Sequence, residues 1–406
     1  STDKDGKYSL SSPDKESVLV FSFVGMKNQE IPLAGKSIVN AVLQEETNKL
    51  EEVVVVGYGT VQKKDLTGAV STIGGKDVAE RQSVRISQAL QGAMAGVMVT
   101  RGSGAADASS TIKIRGITTI GDSNPLVIID GIPGTLDWVN PNDVESISVL
   151  KDAASASIYG SRAASGVIVV TTKRSKSGQL SLDYNAEFGV EKPTRVAKYA
   201  NAADYMGINN ELKWNDNNNS GTEYPVFAKD LIDNYQSLNA SNPDQYPQTD
   251  WMGLMLRKSA PRQSHSLSLS AGSEKFRTKV SLVYDKTAAF YTGRSYDRIN
   301  VSANTDFTIN KFLSLEVDLN SLYSLNKNPS YGISPSIGVA PIYAATWADG
   351  RVGEGKTGVN PYARMNYGGF SNTTSNVSRG KVALHFKPIE GLKLSGILSP
   401  QLYSDK

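Results

Sequence analysis

Cysteine is absent from the 406-residue sequence, and histidine occurs only twice, at His265 and His385. The lack of cysteine excludes a disulfide framework and every thiolate metal site. Two histidines could form a zinc site only with the help of carboxylate ligands. We therefore expect no metal and no cofactor, and we exclude chemistry that depends on a catalytic cysteine or on several histidines.

Long apolar runs are absent as well. No stretch of 18 or more consecutive apolar residues occurs, so the sequence encodes no transmembrane helix. Strands that cross a membrane alternate polar and apolar residues and pass this test unnoticed. A mean hydropathy of −0.30, with 18 Tyr and 36 Gly, fits such strands and fits a soluble β-sandwich equally well.

An excess of one charge is also missing, since 43 basic residues face 40 acidic ones. This near balance gives no signal for nucleic-acid binding. Catalytic motifs are lacking too: a glycine pattern that starts at Gly57 has Gln62 at its third glycine position, and no phosphate-binding loop or nucleophile elbow occurs. Asp130, Glu145 and Asp152 could supply a carboxylate pair, but Asp130 and Asp152 are ordinary turn and N-cap residues. We expect no enzyme activity.

Four consecutive valines, Val53 to Val56, stand between Glu52 and Gly57. Valine favours extended backbone, so the run predicts a strand. A short apolar run bounded by turn residues is most typical of a buried core strand. Because acidic residues precede the run and glycines follow it, we expect no hairpin partner nearby, which makes a strand for another protein the alternative.

The chain divides into differently patterned regions. Short strands with turn residues in 1–50 favour part of an immunoglobulin-like β-sandwich. Residues 60–178 predict a compact mixed α/β unit rich in small residues. Its helices are expected over 83–96 and 152–159 with a helical turn at 143–145, and its strands over 111–116, 126–131, 146–150 and 166–172.

The remaining residues, 179–406, carry alternating patterns that fit membrane strands. Seven stretches alternate: 180–190, 265–271, 276–285, 299–309, 313–320, 381–386 and 392–402. Short turns at 272–275, 310–311 and 390–391 alternate with longer connections at 191–262, 286–297 and 326–378. Short periplasmic turns and long external loops are typical of outer-membrane antiparallel β-barrels. A lumen that holds a whole domain needs about 22 strands, so we expect a partial barrel.

Many separate motifs occur in one order, from Leu50 through Gly59 to the segment 162–168. In this the chain resembles the TonB-dependent outer-membrane transporters of the SusC/RagA type. The resemblance implies a carboxypeptidase-regulatory-like extension at 1–50, a TonB box at 51–59, a plug at 60–178 and the first barrel strands at 179–406. It marks as plug motif residues Arg115, Gly116, Asp130, Gly131, Arg162 and Gly166.

The resemblance also implies function. It implies energised import of a nutrient across the bacterial outer membrane, with extension and TonB box in the periplasm. TonB, working with ExbB and ExbD, would pair with Glu52, Val53, Val54, Val55, Val56 and Gly57. A SusD-like surface lipoprotein would cover the barrel, and oligosaccharides are the expected cargo, with oligopeptides second.

Tyr, Trp, Asn and Asp are frequent in the expected external segments, and such side chains suit sugar rings. We take Asp122 and Asn124 of the plug loops and Trp214 and Trp347 of the barrel loops as candidate cargo contacts. Aromatic belts and ordinary loop packing would explain the same residues. A soluble or surface β-sandwich adhesin remains an alternative from another class, because alternation alone does not tell lipid from a core.

Overall fold

The computed structural model describes residues 7–10, 17–22, 29–33, 35–43, 53–56, 59–62, 69–103, 105, 108–117, 121, 123–178, 180–332 and 338–406. The chain forms two compact units, Ser1–Thr67 and Gly68–Lys406, which we describe separately.

The first unit contains two antiparallel strand pairs among its described residues. Strand β1 (Val18–Phe21) pairs with β2 (Gln29–Pro32). The Tyr8 hydroxyl donates to the Val39 carbonyl at 2.6 Å, and the Tyr8 ring meets the Phe21 ring edge-on with 5.3 Å between centroids. The described residues of 1–50 thus form one two-stranded pair with its aromatic contact, and the partial sandwich expected there stays a prediction.

The valine run forms β3 (Val53–Val56), as predicted, but it has a neighbour in the chain. Strand β4 (Gly59–Gln62) pairs with it antiparallel, with Val54 opposite Val61 and Val56 opposite Gly59. Our expectation of no nearby hairpin partner is therefore wrong. Only Gly57 and Tyr58 separate the two strands, and a glycine-led dipeptide is typical of a tight hairpin rather than of a strand end.

The second unit begins with the α/β part. One sheet has the order β5-β10-β11-β8-β9 and is antiparallel except between β11 and β8. Its strands are β5 (Val70–Gly74), β8 (Leu126–Ile129), β9 (Ile132–Pro133), β10 (Val144–Leu150) and β11 (Val167–Thr172). A separate ribbon pairs β6 (Val97–Arg101) with β7 (Ser110–Ile114). The four predicted strands correspond to β7, β8, β10 and β11, with ends that agree within two residues. Strands β5, β6 and β9 were not predicted.

The helices of this part are short. They are α1 (Gly75–Glu80), α2 (Ile86–Ala89) and α3 (Ala153–Ala156), with 3-10 turns at Leu136–Trp138, Pro141–Asp143 and Ser157–Ala163. The long helix predicted over 83–96 is wrong, because only α2 is helical there. Arg85 is extended, with φ −121°, and Gly92 has φ +66°, so the chain leaves the helical region on both sides of one turn.

Burial concentrates in a single cluster between the sheet, the ribbon and the short helices. Its members include Ile86, Leu90, Ile147 and Ile168, all fully buried. The α/β part therefore has an apolar core like that of a water-soluble domain.

The rest of the unit is one antiparallel sheet in chain order, which we call the wall sheet. Its strands are β12 (Leu180–Glu191), β13 (Ala260–Gly272), β14 (Phe276–Ala288), β15 (Ser295–Thr308), β16 (Leu313–Pro329), β17 (Phe370–Ile389), β18 (Leu392–Leu398) and β19 (Gln401–Asp405). All seven predicted stretches are strands. The last is divided at Ser399 and Pro400, where proline cannot donate to the ladder, and both pieces pair with β17.

The short turns lie at one end of the wall sheet, as predicted. The long connections 192–259 and 330–369 hold α4 (Ala202–Asp216), α5 (Lys229–Ser241), α6 (Trp251–Met255) and α7 (Pro361–Tyr367). The third predicted long connection, 286–297, is wrong: β14 and β15 stay paired up to Ala288 and Ser295, so only residues 289–294 connect them. Among the described residues no helix is long and apolar enough to cross a membrane.

Candidate transport site

The two faces of the wall sheet have opposite chemistry. On β15, Ile299 and Val301 are 40% and 42% exposed, whereas Arg298 and Asn300, which alternate with them, are each 1% exposed. Apolar side chains therefore face outward and polar ones are buried against the α/β part. This reverses the soluble arrangement and fits a sheet whose outer side meets hydrocarbon.

The α/β part sits on the polar face through buried hydrogen bonds. The Asp143 carboxylate, in a 3-10 turn, accepts from Lys279 Nζ at 2.6 Å and from Ser281 Oγ at 2.5 Å. Asn300 Nδ2 donates to the Trp138 carbonyl at 2.9 Å, and Asn304 Nδ2 donates to Thr172 Oγ1 at 2.9 Å. The α/β part is thus held against the wall by polar contacts that water could replace.

Arg174 lies in the segment that connects the α/β part to the wall sheet, and it binds two strands of the wall sheet. Its Nη1 lies 2.7 Å from Asp306 Oδ1, and its Nη2 lies 2.6 Å from Asp318 Oδ2. Burial disfavours the charge on this guanidinium, but Asp318 and Asp306 outweigh burial and raise the pKa of Arg174. On the same face Lys381 Nζ lies 2.9 Å from Glu316 Oε2, which extends the charged cluster across β16 and β17.

A second ion pair is fully enclosed. Arg298 Nε lies 3.0 Å from Asp285 Oδ2, with side chains 1% and 3% exposed. Ser264 Oγ donates to the other carboxylate oxygen of Asp285 at 2.6 Å, and Arg298 Nη1 donates to the Asp137 carbonyl at 3.4 Å. The pair therefore joins β14 and β15 to the α/β part.

The predicted plug motif residues have structural surroundings. Asp130 and Gly131 form the turn between β8 and β9 with φ +49° and +85°, and the Asp130 carboxylate accepts from the backbone N–H and hydroxyl of Thr172 at 2.9 and 2.8 Å. Gly166 has φ +88°, and a Cβ there would lie 2.7 Å from Ile114 Cδ1. Asp130 and Gly166 thereby fix turns and packing.

The remaining motif residues are more open. Arg115 and Gly116 follow β7 with φ +57° and +89°, and the Arg115 and Arg162 side chains are exposed. Burial, followed by the charge of Arg115, lowers the pKa of Lys151. The described contacts give these two arginines no part in a site.

Of the predicted TonB-binding residues, the four valines form β3, while Glu52 and Gly57 lie outside the described residues. Among the described strands β3 pairs with β4 alone. In an antiparallel pair, half of the backbone N–H and C=O groups of each strand point away from the partner. β3 therefore keeps one open edge to which another strand can add.

The long connections enclose a cavity of ≈ 730 Å³. Its lining comes from the segment after β12, from α6 and its flanks, and from the segment before Tyr343. The lining residues are Pro193, Val196, Ala197, Lys198, Tyr199, Ala200, Asn201, Tyr205, Gln248, Thr249, Asp250, Trp251, Met252, Gly253, Leu256, Arg257, Lys258, Gly338, Val339, Ala340 and Pro341. We call it the outer-loop cavity. It has the size of a small-molecule site.

The four predicted cargo residues do not meet there. The Asn124 side chain accepts from Lys113 Nζ at 3.0 Å, and Trp214 lies in the last turn of α4. Trp347 is half-buried in a turn, where its carbonyl accepts from the Gly350 N–H. None of these three lines the cavity in the described part of the chain, and Asp122 lies outside that part. The cargo-binding role of all four residues stays a prediction. No sequence pattern indicated that the lining residues would meet, because segments far apart in the chain form the cavity.

Within the described ranges no group of three or more His, Asp and Glu side chains could hold a metal ion.

A wall sheet with an apolar outer face, carrying a folded domain on its polar face, defines the class of plugged membrane β-barrels. Two family profiles match the sequence: the TonB-dependent Receptor Plug Domain at residues 62–167 and the CarboxypepD_reg-like domain at residues 1–55. The α/β part is accordingly the plug, and we use that name from here.

Relatives cover the whole chain. It is 33% identical over 419 residues to the TonB-dependent receptor P26 of Formosa agariphila, covering 100% of this chain and 40% of that protein. It is 33% identical over 315 residues to the TonB-dependent receptor SusC of Bacteroides thetaiotaomicron, covering 75% and 29%. A structure of the RagAB peptide importer in its open-open state superposes with a TM-score of 0.69 at 26% identity, covering 87% of this chain and 42% of that one.

The chain belongs to the SusC-like TonB-dependent receptors of the bacterial outer membrane, with plug and N-terminal region on the periplasmic side. It spans about two fifths of the length of the first of these relatives. The apolar outer face and this membership together favour a membrane protein over the soluble adhesin.

Proposed function

We propose that the protein to which this chain belongs imports a nutrient across the outer membrane with energy supplied through TonB. The observation that carries the proposal is the seating of the plug on the polar face of the wall sheet by contacts such as Asp143 with Lys279. A complete barrel of about 22 strands would close around this plug. Passage then needs work on the plug, and a force from the periplasm supplies it.

The open edge of β3 is where TonB binds in this proposal. An added strand makes backbone hydrogen bonds along the edge, so affinity depends on the N–H and C=O groups of 52–57 rather than on particular side chains. Since β4 holds only the other edge of β3, TonB can add a third strand without first breaking the hairpin.

The test compares two substitutions at one position. Val55→Pro removes a backbone donor and disfavours strand pairing, whereas Val55→Thr keeps a β-branched strand residue. A second variant, Val54→Pro, is needed because the N–H groups of adjacent residues face opposite edges of a strand. One of the two prolines therefore removes a donor from the open edge of β3. One proline variant, or deletion of 52–57, abolishes cargo uptake by cells while the purified protein still binds cargo. Unchanged uptake in both proline variants and the deletion would refute the assignment.

Oligosaccharide is the proposed cargo, captured with a SusD-like surface lipoprotein. Exposed Tyr199 and half-buried Tyr205 at the outer-loop cavity offer aromatic faces of the kind that sugar rings contact. Isothermal titration of the complete protein with and without its lipoprotein against a glycan panel tests this.

Oligopeptide is the second candidate, and one observation favours it. The RagAB importer, whose fold this chain shares at 26% identity, is a peptide importer. The same titration against a peptide panel decides between the two cargo classes.

A further inference from the structure

The outer-loop cavity is built before cargo arrives. Trp251 Nε1 donates to the Ala340 carbonyl at 3.0 Å, the Thr249 N–H donates to the Pro341 carbonyl at 2.8 Å, and Thr249 Oγ1 donates to the Tyr343 carbonyl at 2.7 Å. Trp251 and Met255 also belong to a buried cluster with Ala345 and Met365. One side of the cavity is therefore fixed by packing and hydrogen bonds, which lowers the cost of ordering it around a ligand.

The opposite side is fixed as well. The Asn201 side chain caps α4 by accepting from the Asp204 N–H at 2.8 Å. Tyr205 meets Phe227 edge-on with 6.5 Å between ring centroids and packs on the cluster of Ala202, Met206 and Tyr235. The cavity thus lies beside two packed clusters rather than in a single loop.

The charge of this lining differs from that of the chain. Lys198, Arg257 and Lys258 line the cavity and are exposed, and Asp250 is the one carboxylate among the described lining residues. One oxygen of Asp250 is already used, because it accepts from the Gly253 N–H at 2.9 Å. Within the described residues none of the three cations has an ion-pair partner within 4.0 Å. The chain as a whole carries 43 basic and 40 acidic residues, so the excess is local.

We infer that the outer-loop cavity binds an acidic oligosaccharide, whose carboxylate or sulfate groups pair with Lys198, Arg257 and Lys258 while a sugar ring lies on Tyr199. Guanidinium and ammonium groups donate charge-assisted hydrogen bonds to such acids, and the half-exposed ring of Tyr199 stands next to Lys198. The inference rests on the proposed function only in taking this cavity as a cargo site.

Titration of the complete protein in detergent tests the inference without TonB or transport. The probes are short oligogalacturonates, the same oligomers fully methyl-esterified, a sulfated neutral-backbone oligosaccharide and an oligoglutamate peptide. At least one acidic sugar binds at least about tenfold more tightly than its neutral counterpart. That affinity falls as salt rises from about 0.05 M to about 0.5 M, because exposed charges are screened.

Variants locate the effect. Each of Lys198→Gln, Arg257→Gln and Lys258→Gln weakens binding of the acidic sugar by about two- to fivefold, and the triple variant by tens of fold, with the neutral oligomer unaffected. The matched control is Lys213→Gln with Lys229→Gln, two exposed lysines on α4 and α5 outside the cavity that pair with Asp216 and Asp233. The control leaves both affinities unchanged.

Several outcomes overturn the inference. They are equal affinity for acidic and esterified oligomers, no binding of any acidic sugar, binding of oligoglutamate alone, and equal loss in the control variant. None of these touches the TonB proposal, which depends on uptake by the Val54 and Val55 variants. Conversely, TonB-independent uptake with selective acidic-sugar binding refutes that proposal and leaves this inference standing.

Discussion

The plug sheet and the wall sheet follow opposite rules of burial within one chain. In the plug, the apolar residues Ile147 and Ile168 are fully buried. In the wall sheet, Arg298 and Asn300 are buried while Val301 is exposed. The difference shows that the plug has an apolar core like that of a water-soluble domain, whereas the outer side of the wall is apolar because it faces hydrocarbon.

The largest effect is expected from breaking the buried pair of the wall. Arg298→Ala leaves the Asp285 carboxylate enclosed without its cation, and we expect a loss of about 3–5 kcal/mol in the free energy of unfolding. The control is Arg351→Ala, which removes a pair with Asp349 of 2.7 Å whose side chains are 80% and 50% exposed and costs at most about 1 kcal/mol. Equal losses in denaturant titrations of the two variants would contradict an enclosed polar face.

The outer face gives the next effect. Val301→Lys places a charge midway along β15 on the side that meets lipid, and we expect a cost of about 2–4 kcal/mol for folding into vesicles. Leu212→Lys changes a residue of α4 that is 55% exposed, against 42% for Val301, and is expected to cost less than about 0.5 kcal/mol. If both substitutions were harmless, water rather than lipid would cover that face.

The smallest effect is expected in the plug, where the stability depends on pH through the Asp152 carboxylate. Hydrogen bonds from the Ser155 hydroxyl, the Ser155 N–H and the Ala69 N–H lower the pKa of Asp152 to about 2. Because this value lies below the ordinary one of 3.8, the stabilisation is complete above about pH 4 and is lost as pH falls toward 2. As an N-cap the residue contributes about 1 kcal/mol.

Asp152→Asn keeps a capping side chain but removes the titration. We expect its plug stability, followed by urea unfolding, to differ most from that of the unmodified protein above pH 4 and to converge with it near pH 2. A difference that is constant over this range would show that the carboxylate charge has no role.

The wall strands could be predicted from the sequence because alternation with period 2 is a local property. The alternation in residues 276–285 and 313–320 predicts strands there without knowledge of the strands that pair with them. Their full lengths could not be predicted: β17 runs for 20 residues, and its polar first half is held in the sheet by pairing with β16. In the plug, Gly92 reads as a permitted helix residue and acts as a break.

The site was predictable to a smaller extent. The four valines predicted strand β3 correctly, but its partner β4 could not be predicted. A glycine such as Gly57 is compatible with the end of a strand and with a hairpin turn. The outer-loop cavity depends on Trp251 reaching the Ala340 carbonyl across 89 positions, and no single-sequence pattern encodes that contact. Loop aromatics such as Trp347 attract attention by type alone, whereas lysines that line a cavity do not.

Seven residues separate β11 from β12. One of them, Arg174, forms ion pairs with Asp306 on β15 and Asp318 on β16 of the wall sheet. A link of that length spans at most about 25 Å when fully stretched. If TonB draws the leading end of the plug into the periplasm, as we propose, this link keeps the trailing end of the plug within about 25 Å of β12.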